Sequence, residues 1–215
     1  MSGIVLELQR EALDNKCDIL SLLRKAYLIA KKLKLSEFEE WINNELNGYT
    51  DGKTIPEYRK VHGELKAWNP YHGWVPVILT DDRLNALLTY QKIRMSISSL
   101  KNIYDNSDNN TFKIQFNGSI NQNLSELCDF ETKFALILGS NQIYCMIECI
   151  RNIILDWSIK LETSGIIGEG LQFSNEEKEI AANTPIINNY INNFYGDVRE
   201  TQIQQNTDDS VQNQN

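Results

Sequence analysis

The sequence lacks the short motifs that carry most enzyme chemistry. It contains no Gly-rich phosphate loop, no GxSxG nucleophile motif and no HExxH zinc motif. The 215 residues include only two histidines, which excludes a metal site built from several imidazoles. We therefore expect no metal and no cofactor, name no catalytic residue, and favour a role other than catalysis while leaving an enzyme open.

Positive charge and long apolar runs are also scarce. Lys and Arg number 21 against 29 Asp and Glu, so the net charge is −8 and nucleic acid is an unlikely partner. No apolar run approaches membrane-spanning length, and charges interrupt the N-terminal segment where a signal peptide needs apolar residues. We expect a cytoplasmic protein without membrane contact, in which the few cysteines are free thiols. These are Cys17, Cys128, Cys145 and Cys149.

Apolar residues recur at helical spacing through the N-terminal third and again in the centre of the chain. The pattern predicts helices over Ile4–Leu13, from Asp18 to about residue 33, and from a capping box at Ser36–Glu39 to Gly48. The longest predicted helix runs from Ser140 to Leu161, and we expect it to be the central packing element. Two shorter helices should bury Leu84, Leu87 and Leu88 in one case and Ile120, Leu124 and Leu127 in the other. A second capping box, Ser174–Glu177, should begin a short acidic helix.

Alternation of apolar and polar residues predicts a small antiparallel sheet. One strand is expected over Tyr58–Trp68, and it returns after a turn as Trp74–Leu79, with Pro76 arguing for an edge strand. Further strands are predicted over Thr111–Asn117 and Lys133–Leu138. The sequence therefore predicts an α+β fold, in which the N-terminal helices and the long central helix pack with this sheet.

The last part of the chain differs in composition from the rest. Residues 185–215 are rich in Asn, Gln and Asp, and their apolar residues are too sparse to form a core in one chain. Copies stacked in register could pair their backbones and form amide ladders. We interpret 1–184 as the α+β domain and 185–215 as a polar oligomerisation tail, with a disordered solubilising tail as the alternative. The candidate oligomerisation residues are Ile191, Phe194, Tyr195, Val198, Ile203 and Val211.

The aromatic cluster from Trp68 to Trp74 is the best candidate for a binding site. Its rings could stack on a nucleotide base, or they could anchor a hairpin on the helices beneath it. Glu45 and Arg59 could form an ion pair that ties a helix to the sheet. The candidate ligand-binding residues are Glu45, Tyr58, Arg59, Trp68, Tyr71 and His72. Cys145 and Cys149 lie one helical turn apart, and we interpret them as small apolar residues beside the core rather than a metal or redox site.

Several segments resemble the AbiTii domain family. They are Ile4–Leu13, Glu45–Tyr49, Pro56–Arg59, Gly63–Leu65, Trp68–Pro70, Asn193–Val198 and Gln202–Gln205. The resemblance implies a bacterial protein tied to abortive infection, a form of phage defence, but it supplies no agreed mechanism and no catalytic residues. We favour a protein that oligomerises and acts as a defence effector or as the partner of one. The alternatives are a toxin enzyme acting on nucleotides or nucleic acid, and a sensor of a nucleotide signal, each using the Trp68–Trp74 hairpin.

Overall fold

The computed structural model describes residues 3–107 and 110–184, so every expectation for the tail lies outside the described residues. The helices are α1 (Ile4–Leu13), α2 (Ile19–Leu33), α3 (Ser36–Asn47), α4 (Asp82–Thr89), α5 (Ile97–Asp105), α6 (Gly118–Cys128), α7 (Asn141–Thr163) and α8 (Asn175–Asn183). The strands are β1 (Lys60–His62), β2 (Glu64–Asn69), β3 (Gly73–Pro76), β4 (Tyr90–Lys92), β5 (Thr111–Gln115) and β6 (Phe134–Gly139). A 3-10 turn, Glu57–Arg59, precedes β1.

The helix α7 is the central packing element, as its long apolar stripe predicts. It contacts α1, α2, α5 and the 3-10 turn, and ten of its side chains are buried. Trp157 of α7 stacks on Phe38 of α3 with ring centroids 3.9 Å apart, which joins the first and last parts of the helical layer. Burial of such large aromatic surfaces supplies much of the apolar stabilisation of a layer of this kind.

The predicted α+β fold with small antiparallel sheets is confirmed. Four strands form one sheet in the order β3-β2-β6-β5, and β1 and β4 form a separate two-stranded sheet. The predicted hairpin is present as β2 and β3, with Trp68 opposite Trp74. Pro76 is the last residue of β3, which is an edge strand, so its missing N–H removes no bond from the interior of the sheet.

The four-stranded sheet has one covered and one open face, because successive side chains of a strand point to opposite sides. Leu65 and Ala67 of β2, together with Phe134 and Leu136 of β6, are buried under the helices. On the other face Trp68 is 43% exposed and lies beside other side chains that reach solvent. These neighbours are Glu64, Lys66, Lys113 and Gln115.

The expectation of one strand over Tyr58–Trp68 is wrong. The strand is interrupted at Gly63, so that β1 pairs with β4 while β2 pairs with β3 and β6. The N–H of Gly63 donates to the carbonyl of Thr89 at 2.9 Å instead of joining the larger sheet. The alternation of the sequence does not reveal this change of partner, because both strands share the same period.

The expected capping box at Ser36 is also wrong. Leu35 is the N-cap of α3, and its carbonyl accepts the first helical bond from the N–H of Glu39 at 2.9 Å. The Glu39 carboxylate instead accepts from Lys31 at 2.6 Å and from Tyr27 at 3.2 Å, because α2 lies alongside. The Asp18 cap and the Ser174 capping box are confirmed.

Two leucines and one cysteine lie outside the core positions that helical spacing assigns to them. Leu87 of α4 is 69% exposed and Leu127 of α6 is 57% exposed. Each of these short helices buries fewer apolar side chains than its sequence pattern predicts. All four cysteines are free, as expected. Cys149 packs against the core, but Cys145 is exposed, so the interpretation of Cys145 as a small apolar residue beside the core is wrong. Among residues 3–107 and 110–184 no cluster of His, Cys, Asp and Glu could hold a metal ion. No helix in this part of the chain is long and apolar enough to cross a membrane.

The close approach of Gly63 to β6 gives a prediction for stability. A Cβ at Gly63 would lie 2.6 Å from Cγ of Leu136 and 2.9 Å from the carbonyl oxygen of Ile137. Gly63→Ala should therefore lower the free energy of unfolding by about 1–3 kcal/mol in urea titrations. Gly118→Ala is the matched control, because nothing lies within 4 Å of its added Cβ and Ala is the better helix former. Equal stability of the two variants would contradict the close contact between Gly63 and β6.

Candidate functional site

A buried polar cluster joins α3 to the start of β1. It consists of Trp41, Glu45, Tyr49, Tyr58 and Arg59. Oε1 of Glu45 accepts hydrogen bonds from the Tyr58 hydroxyl at 2.6 Å, from the Tyr49 hydroxyl at 2.7 Å and from Nε of Arg59 at 3.0 Å. The indole Nε1 of Trp41 donates to the Tyr58 oxygen at 2.8 Å.

Arg59 extends this buried polar cluster to a third element. Its Nη2 donates to Oε2 of Glu45, which completes a bidentate ion pair between fully buried side chains. Its Nη1 donates to the carbonyl oxygens of Ile93 at 3.0 Å and Met95 at 2.7 Å, in the connection from β4 to α5. The predicted contact between Glu45 and Arg59 is confirmed. The guanidinium of Arg59, in the 3-10 turn, thus binds both α3 and the connection from β4 to α5.

Electrostatic interactions in the cluster keep Glu45 and Arg59 paired and keep the phenol of Tyr58 neutral. Burial by itself lowers the pKa of Arg59, but the charge and hydrogen bonds of Glu45 outweigh it and the pKa is raised. Burial, followed by the nearby Glu45 carboxylate, raises the pKa of Tyr58 well above its ordinary value. Tyr58 thus remains a hydrogen-bond donor at neutral pH. Because Glu45 and Arg59 are fully buried and bonded within the protein, we assign the pair a structural role.

The second group of candidate residues lies on the β2–β3 hairpin. The rings of Trp68 and Trp74 meet edge to face with centroids 5.5 Å apart, and Nζ of Lys113 lies 4.5 Å from the Trp74 centroid. Tyr71 is 91% exposed in the turn. The backbone N–H groups of Tyr71 and His72 both donate to Oδ1 of Asn69, at 2.8 Å and 3.1 Å, which fixes the turn.

Trp68 also lines a groove of about 1050 Å³. The groove lies between the β2–β3 hairpin, α6 and the loop from α6 to β6. Thr132 also lines the groove, and its hydroxyl donates to the carbonyl oxygen of Trp68 at 2.6 Å. Phe130, which is 49% exposed, is a second aromatic residue of the lining. Sequence reasoning missed Phe130, since it follows α6 in a segment without periodicity.

The charges of the groove are mostly negative. Glu126, Asp129 and Glu131 line it together with Lys133, so three carboxylates face one ammonium group. Glu126 lies in the last turn of α6 and Asp129 is its C-cap, at the end of the helix dipole that disfavours anions by about 0.3–1 kcal/mol each at low ionic strength. Aromatic rings beside carboxylates are suited to a cation or to a neutral planar group, and they disfavour a phosphate.

The six candidate residues therefore form two groups. Glu45, Tyr58 and Arg59 belong to the buried polar cluster, whereas Trp68, Tyr71 and His72 lie on the hairpin, of which Trp68 alone reaches the groove lining. Whether any of them binds a ligand stays a prediction.

Fold and sites together define an α+β protein with a structural ion pair inside it and an aromatic, acidic groove on its surface. The chain belongs to the AbiTii family, whose model matches residues 3–186. The family name places it among proteins of abortive infection, a form of phage defence. No curated protein and no solved structure matches the chain. The match includes the N-terminal and hairpin segments of the resemblance, whereas Asn193–Val198 and Gln202–Gln205 lie beyond it.

The buried polar cluster predicts strong coupling between its two ions. Glu45→Ala and Arg59→Ala should each lower the free energy of unfolding by about 3 kcal/mol or more, because each leaves a charge buried without its partner. The double variant should lose less than the sum of the two. The control is the half-exposed pair Lys101–Asp105, whose atoms lie 2.6 Å apart and whose coupling should stay within about 0.5 kcal/mol. Strict additivity for Glu45 and Arg59 in denaturant titrations would contradict the assignment.

Proposed function

We propose that this abortive-infection protein acts in the cytoplasm as an oligomerising effector of phage defence, or as the partner of such an effector. In this proposal residues 1–184 form the folded module, and residues 185–215 join copies of it. The proposal combines the family with the contrast between the two parts of the chain.

The observation that most supports assembly is that the folded module has apolar clusters built from its own side chains. Its two apolar clusters extend from Ile4 to Ala181 and draw on both the helical layer and the covered face of the sheet. The apolar residues after Thr184 stand singly or in pairs among amides, a composition that supports ordering only when several chains combine their surfaces. A disordered solubilising tail remains the alternative that experiment must exclude.

A toxin enzyme or a nucleotide sensor at the Trp68–Trp74 hairpin stays an alternative prediction. Trp68 is accessible enough for a base to stack on it. The carboxylates of the adjoining groove oppose this alternative, because they repel the phosphates of a nucleotide. Loss of turnover in a folded Trp68 variant would favour the enzyme over the assembly.

Light scattering on three forms of the chain tests the proposed assembly. The full-length protein should be a multimer, and a chain ending at Thr184 should be folded but of lower order. Ile203→Asp should weaken assembly in the full chain, because an added charge would stack on its own copies.

Ile203→Val is the matched control, since it keeps a β-branched apolar side chain and should assemble as the unmodified protein does. Circular dichroism on each form checks that the folded module is intact. Identical oligomeric states for the full and shortened chains would contradict a role of the tail in assembly.

A further inference from the structure

We propose that the groove between Trp68 and Phe130 binds an arginine-bearing segment of a partner protein. This inference gives a chemistry to the partner in the proposed function, and it does not depend on assembly through the tail. It rests on the coincidence of two partly exposed aromatic residues and an excess of carboxylates in the lining of one groove.

The charge of the groove selects a cation. Glu126, Asp129 and Glu131 outnumber Lys133 by three to one, and none of the three carboxylates belongs to an ion pair among the described residues. Glu126 accepts one hydrogen bond, from the Gln122 amide at 3.2 Å. The last turn of α6 contains no basic residue, so the helix end adds to the negative potential instead of being compensated.

The aromatic rings select the kind of cation. A guanidinium is planar, stacks on an aromatic face and pairs with carboxylates through two parallel hydrogen bonds. Trp68 and Phe130, which are 43% and 49% exposed, belong to the same lining as the carboxylates. A lysine ammonium meets the charge requirement but stacks less well, so arginine should be preferred.

Two other occupants fit the groove less well. A metal ion needs several ligands converging on one point, and no group of three or more metal-binding side chains in the described residues does so. A nucleotide brings phosphates next to three carboxylates, which is unfavourable at any position in the groove. The volume of about 1050 Å³ also exceeds what one small cation fills and suits a segment of extended chain.

Fluorescence anisotropy on the full-length protein tests the proposal. The probe is a fluorescein-labelled peptide of three arginines alternating with glycines, and unlabelled spermidine, ATP and an oligouridine compete with it. The variant Glu126→Gln/Asp129→Asn/Glu131→Gln should weaken peptide binding by at least about tenfold, because charge-assisted contacts are lost. Trp68→Leu should also weaken it, and a lysine version of the peptide should bind less tightly than the arginine peptide.

Matched variants separate the groove from the net charge of the protein. Glu169→Gln/Glu176→Gln/Glu179→Gln changes the same amount of charge at exposed positions outside the groove and should leave binding unchanged. Tyr71→Leu removes an exposed aromatic ring that does not line the groove and should also have no effect.

Four results would overturn the proposal. They are the absence of saturable peptide binding, equal binding by the two triple variants, competition by spermidine as strong as that by unlabelled peptide, and tighter binding of ATP or oligouridine than of the peptide. Because the readout is peptide binding, its failure leaves the light-scattering test of assembly unaffected.

Discussion

The ion pair between Glu45 and Arg59 determines how the helical layer meets the sheets. Removing two charges from water costs several kcal/mol for each ion, and this cost is offset only when every polar atom finds a partner. Here α3 supplies the carboxylate, the 3-10 turn supplies the guanidinium, and the segment after β4 supplies two carbonyl oxygens. Three segments distant in sequence must therefore be in place together, which favours one arrangement of the chain over looser alternatives.

Local sequence patterns were enough to predict most of the helices. The partners of the strands depend instead on residues that are distant in sequence. Asp18 and the Ser174 box were predictable because a cap needs only the neighbouring backbone. Ser36 failed as a cap because Glu39 turns toward Lys31 of the preceding helix, a contact that no window of a few residues contains. The break at Gly63 depends on Thr89 and on the approach of β6, which are likewise distant in sequence.

The distinction between local patterns and contacts distant in sequence also applies to the candidate sites. The Glu45–Arg59 contact could be predicted, because the two residues carry opposite charges and flank the predicted transition from helix to strand. The groove could not, because Trp68 and Phe130 are brought together by the β2–β6 pairing and by the left-handed turn at Asp129. A surface rich in carboxylates agrees with the net charge of −8, and it directs the search for partners toward basic proteins rather than nucleic acid.

In our proposal the folded module provides recognition, and the polar segment after it provides assembly. The efficiency of plating of a phage, on cells that the full-length protein protects, tests this division most directly. A chain ending at Thr184 should accumulate normally and yet lose protection, since recognition without assembly is inert. Full protection by the shortened chain would contradict assembly as the basis of defence.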